Sequence, residues 1–295
     1  MPYSVVRRDD ELEGNAVRHF TASFVRKITE GRLEVNRFGM GKDSWLSVES
    51  SGSSEAVKTY LILSGSCRLI EDASVLLPGD LLVVGELEEF VNLKMLEDCE
   101  ILAHCFGVPV YEELGKDLEH FTRILYKIQE KDAYTEAHCK RVYKLASEMA
   151  EALGYKGKRY FNLMRAARYH DLGKIYVEDG ILNKPGPLDE TEFAKMREHV
   201  VLGAEMVKGT FSAEIFNILS QHHERLDGTG YPRGLSGEDI SEEGRILAIC
   251  DSFDAMVTDR VYKKGKDWDE AIVELRGHAG TMFDPRLVEV FAALD

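Results

Sequence analysis

The hydrophobic rhythm of this chain changes once, near residue 112, and that change limits what it can fold into. Before it, short apolar runs alternate with turn residues: TYLILSG at 59–65, SVLLPGDLLVVG at 74–85, FVNLKML at 90–96 and EILAHCFG at 100–107. Runs this short, rich in Leu, Val and Ile and bounded by Ser, Gly or acidic clusters, read as strands of a sandwich or barrel. Pro78-Gly79-Asp80 is a turn signal, because Pro presets φ and Asp bonds nearby backbone. After residue 112 the period becomes helical. Leu114, Leu118, Phe121, Leu125 and Ile128 form one stripe. Further stripes are Val142, Leu145, Met149 and Leu153; Phe193, Met196 and Val200; Ile246, Ile249, Phe253 and Met256; and Leu287, Phe291 and Leu294. Asp189 with Glu192 three residues later reads as an N-cap with its capping-box partner.

The chain therefore predicts two domains in an α+β protein: an all-β barrel over 1–111, a connecting helix over 112–131 and an all-α bundle over 120–295. Its 295 residues, 44% of them apolar, suffice for two cores. The net charge of −15 repels nucleic-acid backbone and anionic membrane, and no apolar run reaches the ~18 residues of a membrane span. Neither a nucleic-acid polymer nor a membrane is expected as a partner. Five scattered cysteines without a CxxC pair suggest reduced, mostly buried thiols. The opening MPYSVVRRDD lacks an apolar signal region, so the expected location is cytoplasmic.

Seven of the nine histidines fall after residue 111. Five sit in suggestive surroundings: His138, His170, His199, His222 and His223, with Asp171 and Asp251 completing the set. His199 and His222 each lie three residues after an apolar stripe residue, Met196 and Leu219. Asp251 lies inside the stripe of Ile246, Ile249 and Phe253. Imidazoles and carboxylates on inward faces need partners. They satisfy one another most economically around metal ions, and a mixed imidazole and carboxylate set favours Fe, Mn, Ni, Co or Zn over Ca or Mg. Bound cations would also let so acidic a chain accept a phosphodiester. Arg141, three residues after His138, fits either a structural ion pair or a substrate contact. Asp227 and Gly228 read as turn chemistry, and Arg225 and Arg233 as surface charges.

HDLGK at 170–174, followed by HHERLDGTGYP at 222–232, resembles the HD-GYP family of HD-superfamily metallophosphohydrolases. The likeness continues through ILNKPGPLDETEFAKMREH, AICDSFDAMVTDRVY and GTMFDPRLVEVF, in order, over 120–295. It implies a cyclic di-GMP phosphodiesterase, giving linear pGpG or GMP, on an HD-type helical bundle around divalent ions. Iron or manganese comes first, with zinc, nickel or cobalt compatible. It implies that His138, His170, Asp171, His199, His222, His223 and Asp251 are metal ligands, with Asp171 bridging, and that a metal-bridged hydroxide is the nucleophile. Lys174 would hold that hydroxide or a phosphate oxygen. Gly230, Tyr231 and Pro232 would flank the substrate, and Arg260 and Lys263 would grip phosphate. Val200, Leu226 and Val261 depart from the usual pattern without removing a ligand. A cyclic-dinucleotide-binding protein with weak turnover, or a hydrolase of a mixed cyclic dinucleotide, are the competing readings.

The β half resembles a small cupin-like barrel. Its only histidines, His19 and His104, do not supply the metal site of that fold, so the expected role is regulatory, with an unknown ligand or protein partner. The stripe over 114–128 fits either a homodimer seam or packing against its own bundle. Some relatives hold a third ion through a Glu four residues before the first ligand histidine. Here that position is Tyr134, whose phenol would have to ionise from a reference pKa of about 10. Two divalent ions per subunit are predicted. Elemental analysis of the purified protein should read two per chain, and three would overturn the prediction.

Overall fold

The computed structural model describes residues 22–30, 33–48, 57–84, 90–106, 111–131, 133–259 and 264–294, without the side chains of 22–34, 111–119 and 133–136. The chain divides into two units, Met1–Glu119 and His120–Asp295.

In the first unit the strands are β1 (Ala22–Glu30), β2 (Leu33–Met40), β3 (Trp45–Val48), β4 (Val57–Ser64), β5 (Cys67–Leu69), β6 (Val75–Leu76), β7 (Leu81–Val84), β8 (Val91–Met95) and β9 (Cys99–Phe106). They form a five-stranded sheet, ordered β1-β2-β9-β4-β7, and a four-stranded sheet, ordered β3-β8-β5-β6. All the pairings are antiparallel. Among the described residues neither sheet closes on itself, so the architecture is two open sheets rather than a closed barrel. Alternation explains the core. Phe38 and Met40, Tyr60 and Ile62, and Ile101 and Ala103 stand two apart on neighbouring strands and point the same way. They pack with Leu93, Met95 and Cys67 of the second sheet. The Pro78-Gly79-Asp80 turn closes as its residue types require: the Asp80 carboxylate accepts from the Leu77 N–H at 2.7 Å, and Gly79 takes φ +96°.

The second unit is helical: α1 (Tyr111–Lys131, which enters it from residue 120), α2 (Ala133–Ala152), α3 (Gly157–Tyr169), a 3₁₀ turn (Leu172–Tyr176), α4 (Asp179–Leu182), α5 (Glu190–Val207), α6 (Ala213–Gln221), α7 (Glu242–Val257), α8 (Trp268–Gly277) and α9 (Pro285–Ala292). The capping box of Asp189 and Glu192 starts α5, and Asp267 with Glu270 starts α8 in the same way. On α1, Phe121, Leu125 and Ile128 are buried within the helical unit, where Phe121 packs on Tyr169 and Phe211. Leu114 and Leu118 lie outside the described side chains. On α5 the expected stripe is incomplete. Val200 is buried, but Phe193, in the first turn of the helix, is 39% exposed. The five cysteines are buried and form no disulfide among the described residues.

One close approach sets the shape around the histidines. The 3₁₀ turn crosses α5 so tightly that a Cβ on Gly173 would lie 1.9 Å from the His199 carbonyl oxygen and 2.7 Å from the Gly203 nitrogen. Both neighbours are backbone and neither can move aside. Gly173→Ala should therefore destabilise the helical unit by about 1–3 kcal/mol, the usual cost of overpacking, read as a lower urea midpoint for that unit. An unchanged midpoint would refute the packing.

Candidate metal centre

The loose ends of helices supply the first anchors. The last four carbonyls of a helix lack intrahelical partners. His170 caps α3 and its Nδ1 meets the Ala167 carbonyl at 2.9 Å. His222 caps α6 and its Nδ1 meets the Leu219 carbonyl at 2.7 Å. His199, within α5, makes the same contact to Met196 at 2.6 Å. His138 on α2 turns its Nδ1 to the Asp254 carboxylate at 2.7 Å. A carbonyl only accepts, so Nδ1 of His170, His199 and His222 carries the proton and Nε2 keeps its lone pair. All four Nε2 atoms face one region.

Seven side chains meet there. His138, His170 and Asp171 place their donor atoms within 4.8 Å of one another, and so do His199, His222 and His223. The two carboxylates join the groups, one oxygen to each. Asp171 Oδ2 lies 3.4 Å from His170 Nε2 and 3.7 Å from His138 Nε2, while its Oδ1 lies 3.6 Å from His199 Nε2. Asp251 Oδ1 lies 3.1 Å from His138 Nε2, and its Oδ2 lies 4.0 Å from His223 Nδ1. All seven residues singled out as metal ligands are thus brought together, from α2, the α3–3₁₀ junction, α5, the α6 terminus and α7. His138, His170, Asp171, His199 and His222 are buried.

The donor set fits a divalent cation. Among the described residues His199 Nε2 and His222 Nε2 are buried without a hydrogen-bond partner, an arrangement native proteins avoid unless something is bound. The Nε2 atoms of His138 and His170 face each other at 3.3 Å. The charges agree. Burial opposes ionisation of Asp171, yet Lys174, His170, His199 and His138 hold its carboxyl well below the usual range. Burial lowers His138 as well, but the hydrogen bonds and charges of Asp251, Asp254 and Asp171 outweigh it and push the imidazole up to about 9. That proton occupies the same field a metal would answer. Burial drives His222 well down and His223 to about 3, so both are neutral, as ligands must be.

The other expected site residues divide. The Lys174 ammonium donates to Asp171 Oδ2 at 2.6 Å. Tyr231 stacks on His223, with ring centroids 4.8 Å apart at 26°, and its N–H donates to the His223 carbonyl at 3.1 Å. Gly230 is pressed against the chain just after His223: a Cβ would lie 2.3 Å from the Arg225 nitrogen. Pro232 follows in the same loop and is exposed. The Asp227 carboxylate accepts from Thr229 N–H at 2.9 Å, a turn as expected. Arg225 and Arg233 are exposed. Arg260 and Lys263 lie outside the described residues.

Two contributors escape a reading of the sequence. Asp254 is fully buried. It receives His138 Nδ1 and the Arg141 guanidinium, whose Nη2 lies 3.0 Å away. Arg141 is therefore an ion-pair partner. The signal was present, since Asp254 follows Asp251 by three residues on one helical face. Glu224 is buried and accepts the N–H groups of Arg233 at 2.7 Å and Leu235 at 3.0 Å, fixing the loop that carries Tyr231.

The HD domain family matches residues 123–287. The chain belongs to that family. Its curated relatives include a protein of Xanthomonas campestris pv. campestris named cyclic di-GMP phosphodiesterase response regulator RpfG, 38% identical over 59% of this chain and 47% of that one. A cyclic di-GMP phosphodiesterase of Thermotoga maritima is 38% identical over 69% of this chain and 56% of its own length. A 3'3'-cGAMP-specific phosphodiesterase 2 of Vibrio cholerae is 37% identical over 60% and 34%. The chain thus spans about half or less of the length of these relatives. Among the described residues no helix is long and apolar enough to cross a membrane.

Asp254 sets the tautomer and orientation of His138. Removing its charge in Asp254→Asn should weaken metal binding about 10–100-fold, the usual penalty for loss of such a supporting carboxylate. Competition with a chelator for bound Mn²⁺ measures it, and unaltered affinity would show that Asp254 serves only Arg141.

Proposed function

We propose that the helical unit is a metal-dependent phosphodiesterase of the HD-GYP type, hydrolysing cyclic di-GMP to linear pGpG, GMP or both. The observation that carries this reading is the gathering of five imidazoles, four of them turned inward by their Nδ1 contacts, around two carboxylates that each face both imidazole groups. The names of the relatives supply the substrate class.

His138, His170, His199, His222, His223, Asp171 and Asp251 would hold two divalent ions, iron or manganese in the first instance, with Asp171 facing both imidazole groups. Such ions supply Lewis acidity at a phosphoryl oxygen and lower the pKa of water. The chain's own residues do the rest. Lys174 has three N–H donors, one of them spent on Asp171. It orients that carboxylate and offers its remaining donors to a phosphate oxygen. Asp254 keeps His138 Nε2 turned inward. Tyr231, backed by His223, gives a flat wall beside the scissile bond, and Gly230 and Pro232 shape the loop around it. Arg260 and Lys263 would add positive charge for phosphate.

The β unit is proposed as the regulatory part, a cupin-like module that takes an unidentified small ligand or protein. With Phe121, Leu125 and Ile128 used inside the helical unit, a homodimer seam on α1 would rest on Leu114 and Leu118.

A second reading is favoured by the Vibrio relative: a mixed cyclic dinucleotide as substrate. Metal-loaded protein incubated separately with cyclic di-GMP and 3'3'-cGAMP, with products resolved by chromatography, decides between them. Turnover of cyclic di-GMP is expected. Tight binding without turnover of either would replace the enzyme with a binding protein. Asp171→Ala or His170→Ala should abolish hydrolysis, by at least ~10³-fold, because each removes a proposed ligand. Retained turnover in metal-replete Asp171→Ala would sink the ligand assignment.

A further inference from the structure

Beyond the histidines, one wall of the centre continues outward as a ladder of flat groups. His222 meets His223 at 4.2 Å between centroids, His223 stacks on Tyr231, and Tyr231 meets Phe193 edge-on at 6.3 Å and 79°. The Arg197 guanidinium lies over the Phe193 ring at 4.2 Å and over the Tyr231 ring at 5.0 Å. Phe193 and Arg197 stand four apart on α5, on one face. Tyr231 reaches them from the loop that Glu224 ties down. Two aromatic rings thus fix a long side chain that is otherwise free to swing, and they leave the edge of its fork, where the N–H groups are, available.

Its charge is not spent. Three cations are tied to this cluster. Lys174 is paired with Asp171 and Arg141 with Asp254. Among the described residues Arg197 makes neither ion pair nor hydrogen bond, and its contacts are the two rings. It stands within about 10 Å of the His223 ring, at the exposed end of the wall. An unpaired guanidinium held in place on a chain of net charge −15 is a feature to explain. A cyclic dinucleotide carries two phosphodiesters and can place only one of them on the metal centre. The other is an anion with no partner there.

We infer that Arg197, clamped by Phe193 and Tyr231, grips the phosphate of the dinucleotide that is not being cleaved. The inference rests on the cyclic-dinucleotide reading above. A guanidinium presents paired donors that match two phosphate oxygens, and the aromatic clamp lowers the entropy lost on binding. Arg197 is thus a positioning residue: it sets which substrates are held in register, and the metal-centre residues act on the bond. Phe193, 39% exposed, is one of the two rings of this clamp.

The test compares wild type, Arg197→Ala and Arg197→Lys, all metal-loaded. Calorimetry with a phosphorothioate analogue of cyclic di-GMP should show Kd at least about tenfold weaker in Arg197→Ala, in line with the loss of a charge-assisted pair. Arg197→Lys should recover part of that loss. Kinetically, the loss should appear in KM rather than kcat for cyclic di-GMP. The ratio of kcat/KM for cyclic di-GMP to that for bis(p-nitrophenyl) phosphate, which has a single phosphodiester, should fall by a similar factor. An unchanged Kd and ratio would overturn the assignment. Parallel loss of guanosine binding would also overturn it, making Arg197 a base-stacking residue. If wild type cleaves bis(p-nitrophenyl) phosphate but neither binds nor cleaves cyclic di-GMP, the substrate reading itself fails, and this inference with it.

Discussion

Everything at the centre of the helical unit depends on where the Nδ1 protons go. Three imidazoles donate to a carbonyl three residues earlier in their own helix, and a fourth points its Nδ1 at a buried carboxylate. Each contact does two things. It satisfies a buried polar group, and it turns the opposite nitrogen inward. At His170 and His222 the accepting carbonyl is one that the end of a helix leaves unpaired, so the anchor arises from helix termination itself. Five elements must then meet for these nitrogens to converge.

That convergence is unfavourable without compensation. Burying carboxylates raises their pKa, and burying imidazoles depresses theirs. The two effects are reconciled by distributing Asp171 and Asp251 across both imidazole groups and by pairing Asp171 with Lys174. Even so, among the described residues His199 Nε2 and His222 Nε2 have no hydrogen-bond partner. Such an arrangement is one that a bound divalent cation would satisfy. Close backbone contact at Gly173 holds the Asp171 turn against His199, and the tight packing of Gly230 lets the Tyr231 loop lie over His223. Glycine at these two positions is therefore part of the site's geometry, although neither residue has a side chain to contribute.

The β unit obeys a different rule. Its core follows strand alternation, with Phe38, Tyr60, Ile62 and Ile101 facing a second sheet. The two sheets stay open among the described residues, and nothing in its composition supplies the histidine-rich set found in the helical unit.

Much was determined by the sequence alone. Period decided strands before about 110 and helices after, because side-chain spacing follows backbone geometry directly. The Asp189–Glu192 capping box and the Pro78-Gly79-Asp80 turn are local and formed as read. The seven candidate ligands were legible because buried histidines and carboxylates in such numbers have few other uses. Tertiary structure decided what local spacing cannot encode. Arg141 became an ion-pair partner because Asp254, on another helix 113 residues away, faces it. Phe193, which the stripe placed in the core, is 39% exposed and meets the Tyr231 ring of a distant loop instead. The sharing of Asp171 and Asp251 between two imidazole groups likewise follows from α2, the α3–3₁₀ junction, α5, α6 and α7 meeting at one point. Spacing fixes which face a side chain occupies; only packing fixes what that face meets.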